Sequence, residues 1–136
     1  MVSKHPNILF VQTDNQRWDT LGCAGNPIIH TPNINHLASQ GTRFTNAFAT
    51  TPICAASRAS ILTGLYRRQH NFTFLQPPLG IKFTDISYPT LLRQAGYYTG
   101  LIGKLGIESN GKLLLEQEQE TLVKMFDVFD NFEIGH

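Results

Sequence analysis

Glycines at positions 41, 64 and 96 each follow directly on a short segment with helical patterning, and this punctuation confines the chain to short alternating elements. Thr31 and Pro32 read as a cap followed by proline at the first helical position, with Ile34, Leu37 and Ala38 on one apolar face as far as Gly41. Residues 55–63 (AASRASILT) form a second helical segment ended by Gly64, and residues 90–95 a third ended by Gly96. Strand-like runs alternate with these helices. Residues 7–13 (NILFVQT) read as a buried parallel strand with Asp14 just beyond its carboxyl end. Residues 42–50 (TRFTNAFAT) and 97–103 (YYTGLIG) read as two more strands. Residues 15–30 read as a loop with one helical turn, residues 67–88 as irregular, and the aromatic segment 126–132 (FDVFDNF) fits no single period. Short helices alternating with strands predict an α/β layered fold.

Composition narrows the function classes. Hydrophobic residues at 41% against 15% charged describe a globular rather than a disordered chain. Its 136 residues suffice for one compact core. A net charge of +1, with both signs scattered, supplies no basic patch, so no nucleic-acid partner is expected. No apolar run approaches the roughly 18 residues that span a bilayer, so no membrane partner is expected either. Residues 1–6 lack the apolar stretch of a secretory leader, and the expected location is cytoplasmic. Two cysteines, Cys23 and Cys54, are too few for a disulfide framework and have no companion pair at zinc-ligand spacing.

The chemistry concentrates at Cys54-Ala55-Ala56-Ser57-Arg58. Cys54 falls at the start of a predicted helix, where unpaired backbone N–H groups and the positive end of the helix dipole favour an anion. Arg58 lies one turn on and projects from the same face, where its planar guanidinium suits a tetrahedral anion. Taken alone, a Cys-x-x-x-Arg spacing is better explained by a packed thiol and an unrelated arginine.

The surrounding motifs change that balance. Pro6-Asn7-Ile8-Leu9-Phe10 followed by Thr13-Asp14 resembles the opening strand and metal-binding loop of the type I, formylglycine-dependent sulfatases. Thr31-Pro32-Asn33-Ile34 and Phe44-Thr45-Asn46-Ala47 resemble the next segments, and Cys54 to Arg58 with Leu62-Thr63-Gly64 resembles the sulfatase signature. Tyr88-Pro89-Thr90-Leu91 and Thr99-Gly100-Leu101-Ile102-Gly103-Lys104 continue in family order. Several motifs in sequence order are far more specific than any one of them.

The resemblance implies the N-terminal portion of a sulfatase catalytic domain over residues 1–136, with an alkaline-phosphatase-like fold and a mostly parallel sheet left incomplete. It implies oxidation of Cys54 to formylglycine, whose hydrated form attacks the sulfur of a sulfate ester. It implies a divalent cation, calcium in most members, held by Asp14, by Asn15 and by the residue formed from Cys54. Arg58 then steadies the formylglycine and Lys104 contacts the substrate sulfate. The implied partners are a sulfate ester, with carbohydrate esters favoured by family habit, and a sulfatase-maturing enzyme. Ala56 stands where the commonest signature has proline, a form that resembles sites processed by the anaerobic, radical type of maturase. Asn15 stands where many members have aspartate. Leu105-Gly106 stands where many have an aromatic residue and a histidine. The family's downstream ligands, an Asp and Asn pair, match nothing between Glu108 and His136. Two alternatives stand beside the sulfatase: a truncated, non-catalytic fragment, and a phosphoester or phosphonate hydrolase of the same superfamily.

Overall fold

The computed structural model describes residues 5–72, 81–107 and 124–130. They belong to two compact units, Met1–Ala47 and Phe48–His136.

In the first unit a single 3-10 turn, Gly22–Ala24, precedes helix α1, Pro32–Gln40. Proline opens α1 as the sequence predicts, because its fixed φ suits the first turn and its missing N–H is not needed there. Thr31 precedes the helix, but its hydroxyl does not cap it. The Thr31 Oγ1 instead accepts the Gly22 N–H at 2.9 Å and donates to Asn35 Oδ1 at 3.0 Å. The same Asn35 oxygen accepts the Cys23 N–H at 2.7 Å. These bonds tie the 3-10 turn to the first turn of α1 and satisfy two loop amides that water would otherwise have to serve.

The two strands expected in this part of the chain are absent. Residues 7–13 are extended in sequence character but belong to no ladder, and Leu9 and Val11 are 88% and 76% exposed. Residues 42–50 likewise form no strand, with Phe44 and Phe48 exposed. The reason is physical. A strand is defined by the neighbours that take its N–H and C=O groups, and apolar patterning supplies the side chains without supplying those neighbours. Among the described residues the sheet has two strands, and neither of these segments is one of them.

The second unit holds the core. Helix α2, Cys54–Thr63, ends where predicted, at Gly64, whose φ of +68° is in the left-handed region that helix termini favour. Two short helices, α3 (Arg67–His70) and α4 (Ile81–Asp85), occupy parts of the stretch expected to be irregular. Helix α5, Tyr88–Gln94, begins two residues earlier than the periodicity indicates, behind Ser87. Strand β1, Gly100–Ile102, lies within the expected third strand, and β2, Val128–Asp130, lies within the ambiguous aromatic segment. The two pair in parallel, with Gly100 opposite Val128, Leu101 opposite Phe129 and Ile102 opposite Asp130. Short helices with a parallel ladder make this an α/β fold with an incomplete sheet, in agreement with the sequence. Among the described residues no helix is long and apolar enough to cross a membrane.

One face of α2 carries Ala55, Ala59 and Leu62 into a cluster with Phe72, Phe83, Leu105, Ile107, Met125 and Phe126. Small residues on α2 let the helix lie close to the chain that follows β1. Asp127 fastens the edge of this core. Its Oδ2 accepts the Thr99 N–H at 2.7 Å and the Thr99 hydroxyl at 3.2 Å, and its Oδ1 pairs with the Arg93 guanidinium at 3.0 Å. Arg93 also donates to the Lys124 carbonyl. The Thr99 amide, above all, holds the Asp127 carboxyl below its ordinary pKa. The aspartate thereby joins α5 and the approach to β1 to the start of β2.

Phe72 is 1% exposed and packs in the middle of the cluster. Phe72→Ala is expected to destabilise the chain by about 3–5 kcal/mol, through lost burial and the cavity left behind. Since whole domains are stable by roughly 5–15 kcal/mol, chemical denaturation followed by fluorescence should show the midpoint fall sharply or the cooperative transition vanish.

Candidate active site

Cys54 is the first residue of α2, a half-buried free thiol. Ile53 before it is extended, with φ −128° and ψ 129°, and closes the first intrahelical bond by accepting the Ser57 N–H at 2.8 Å. The amides of residues 54–56 therefore precede the helical hydrogen-bond ladder and face the N-terminal end, where partial positive charge collects. Ala56, which stands where the resembled signature has proline, is the third residue of α2. An amide in the first turn has no intrahelical acceptor, so its replacement by a proline nitrogen removes no helical bond.

Arg58 lies one turn after Cys54 on the same helix, and its guanidinium turns toward the segment that follows β1. Arg58 Nη1 donates to the Lys104 carbonyl at 2.6 Å, with the Leu105 carbonyl at 3.5 Å. A bond from an ionised donor to a carbonyl is stronger than a neutral one, and this one joins residues 46 apart in the chain. Leu105, Gly106 and Ile107 are buried directly after it. Gly106 has φ +68°, and a Cβ placed there would lie 2.8 Å from Arg58 Cδ, 3.0 Å from Arg58 Nε and 3.4 Å from Lys104 Cε. The stems of Arg58 and Lys104 thus converge over one backbone position. Arginine and lysine on neighbouring stems are the residue types that serve anionic groups, the first as a planar fork and the second as a point charge.

Of the expected site residues, the second unit holds Cys54, Arg58 and Lys104, and it brings the last two together. Asp14 and Asn15 lie in the first unit at a bend, both exposed. Asn15 has φ +54°, a left-handed conformation that asparagine adopts more readily than most residues. A carboxylate and an amide oxygen on adjacent residues are hard donors of the kind calcium takes, but calcium takes about 6–8 such oxygens. Among the described residues no group of three or more His, Cys, Asp or Glu side chains is placed to hold a metal. The described donors fit part of a calcium shell and do not complete one. Gly106 is the site residue that sequence reading missed. The departure from the common pattern at 105–106 was visible, but nothing local indicates which side chain presses on that position.

The comparisons with known proteins follow the same stretch of chain. The Sulfatase family model matches residues 6–113. An N-acetylglucosamine-6-O-sulfatase of Bacteroides thetaiotaomicron is 38% identical over 102 residues, covering 75% of this chain and 18% of the relative. An arylsulfatase of Clostridium perfringens is 37% identical over 102 residues, covering 75% of this chain and 21% of the relative. The human steryl-sulfatase is 37% identical over 121 residues, covering 81% of this chain and 21% of the relative. The chain therefore spans about a fifth of the length of these curated relatives.

His70, beside the signature helix, has a structural part. Its Nδ1 accepts the Phe72 N–H at 3.0 Å, so the neutral ring carries its proton on Nε2 and donates it to Ser60 Oγ at 3.0 Å. A ring in that tautomer cannot take the serine proton, and the pair locks α3 onto α2 instead of forming a nucleophile and base. Burial, with a smaller contribution from the Arg67 charge, lowers the His70 pKa. A histidine whose folded pKa is depressed leaves the native state binding fewer protons than the unfolded one. Its contribution is intact above the unfolded value of about 6.5 and declines as pH falls from there toward the folded value. The thermal midpoint should fall between pH 7 and pH 5, and the fall should be smaller in His70→Asn, which keeps an acceptor and does not titrate. Equal slopes for the two proteins would exclude His70 as a source of the pH dependence.

Proposed function

The chain belongs to the sulfatase family, and from that premise we propose that it carries the nucleophile and anion-holding portion of a sulfuric ester hydrolase. The observation that carries this reading is the convergence of Arg58 and Lys104 over Gly106, beside a helix that begins at Cys54.

The residues divide the work by their chemistry. Cys54 is the precursor of formylglycine, and the hydrated aldehyde supplies a hydroxyl nucleophile that a thiol at this position does not. Formation of the aldehyde requires an external maturase, and Ala56 in place of proline favours the radical, anaerobic type. Arg58 is held by the Lys104 carbonyl in one orientation and offers positive charge to residue 54 and to the oxygens of the ester. Lys104 reaches the sulfate as a point charge on a flexible stem. Asp14 and Asn15 are donors toward a divalent cation, which would supply Lewis acidity toward the sulfate oxygens. Among the described residues these donors do not make up a full metal shell. The relatives named above are amino-sugar, aryl and steryl sulfatases, so the substrate class of the reading is the sulfate ester, with sulfated carbohydrate as one branch. Sulfate ester is preferred to phosphoester or phosphonate because these names all specify sulfate.

Two measurements test this. Co-expression with a radical maturase should leave a peptide covering residues 44–67 lighter by the change from CH2SH to CHO at Cys54, and reactive toward a hydrazide. A thiol that persists under conditions that convert a control sulfatase would count decisively against the reading. The converted 136-residue chain should turn over a chromogenic aryl sulfate no faster than its Cys54→Ala variant, with or without added calcium. Turnover dependent on Cys54 would show that the residues present complete the metal site after all.

A further inference from the structure

We propose that Gly106 is a positioning residue for Arg58: the absence of a side chain at 106 makes the slot in which the guanidinium stem lies. This rests on the reading that Arg58 holds the anion, and it adds the device that fixes its direction.

Two constraints meet at Gly106. Its φ of +68° is one that side-chain-bearing residues rarely adopt. Separately, a Cβ at this position would stand 2.8 Å from Arg58 Cδ and 3.0 Å from Arg58 Nε. Gly64 gives the internal contrast. It has the same φ of +68°, yet a Cβ there would meet nothing within 4 Å. At Gly64 the requirement is conformational only, while at Gly106 it is conformational and spatial. The buried flanks make the second constraint rigid, because Leu105 and Ile107 are 4% and 1% exposed and belong to the core cluster. The backbone at 106 therefore cannot retreat cheaply, and an added methyl must displace the arginine.

The displacement has a direction. The Nη1 bond to the Lys104 carbonyl is 2.6 Å long, so movement of Cδ and Nε away from 106 is expected to lengthen or re-aim it. Lys104 shares the slot, with Cε at 3.4 Å from the same point. A side chain at 106 would thus disturb both cations at once. With Arg58 in this pose the position has no room for an imidazole.

The test uses the full chain labelled with 15N, reading the arginine Nε–Hε resonances and the thermal midpoint. Arg58 is assigned as the resonance lost in Arg58→Lys. Gly106→Ala is expected to move or broaden the Arg58 resonance, and Gly64→Ala to leave it in place although both variants melt lower. In an Arg58→Ala background the Gly106→Ala loss in midpoint should shrink by at least half, while the Gly64→Ala loss should be unchanged. An unmoved Arg58 resonance in Gly106→Ala, or an additive cycle, overturns the proposal. If Gly106→Ala alone does not fold, a folded double variant supports it and an unfolded one overturns it. None of these readouts depends on conversion of Cys54, so a failure here is distinct from a failure of the sulfatase reading.

Discussion

The hydrogen bond from Arg58 to the Lys104 carbonyl is the constraint on which the rest of the site depends. It joins the helix that begins at Cys54 to the segment that carries Lys104. Without it, Arg58 would be a long side chain with several rotamers. A guanidinium has donors in a fixed fork, so binding one of them to a carbonyl restricts where the plane can lie. On the proposed sulfatase reading, this held guanidinium is the charge that an anion-transfer site needs in place before substrate arrives.

That bond is possible because of what packs beneath it. Ala55 and Ala59 are fully buried on α2, and small residues there allow the helix to approach Leu105 and Ile107. Larger residues on the same face would push α2 away and lengthen the contact past hydrogen-bonding distance. At the far edge of the core, Asp127 ties Thr99 and Arg93 together and sets the parallel register of β1 and β2. The strand that leads to Lys104 is thereby anchored at its start by Asp127 and at its end by Arg58. The Gly103 N–H adds a bond to the Asp130 carbonyl at 2.8 Å, which continues the ladder one step beyond β1.

How much of this the sequence disclosed depends on the range of the interaction. Pro32, Gly64 and Gly96 marked helix limits that the structure reproduces, since the reasons for proline at a start and glycine at an end lie within a few residues. The helix beginning at Cys54, and Arg58 one turn along it, followed from the same local rules. Strand assignment was weaker. Residues 7–13 and 42–50 have strand patterning and form no strand, whereas β2 emerged from a segment whose period was ambiguous. Pairing partners decide that outcome, and they are remote in sequence.

By itself, then, the amino-acid sequence determined the family, through motifs in a specific order, and the helix boundaries, through proline and glycine chemistry acting over a few bonds. Tertiary structure alone decided which carbonyl Arg58 meets, that its stem and that of Lys104 converge, and that position 106 has no space for a side chain. The physical reason is that each of these is a contact across the core between chain segments tens of residues apart. Its existence depends on how closely α2 packs, and no local pattern of residues encodes that distance.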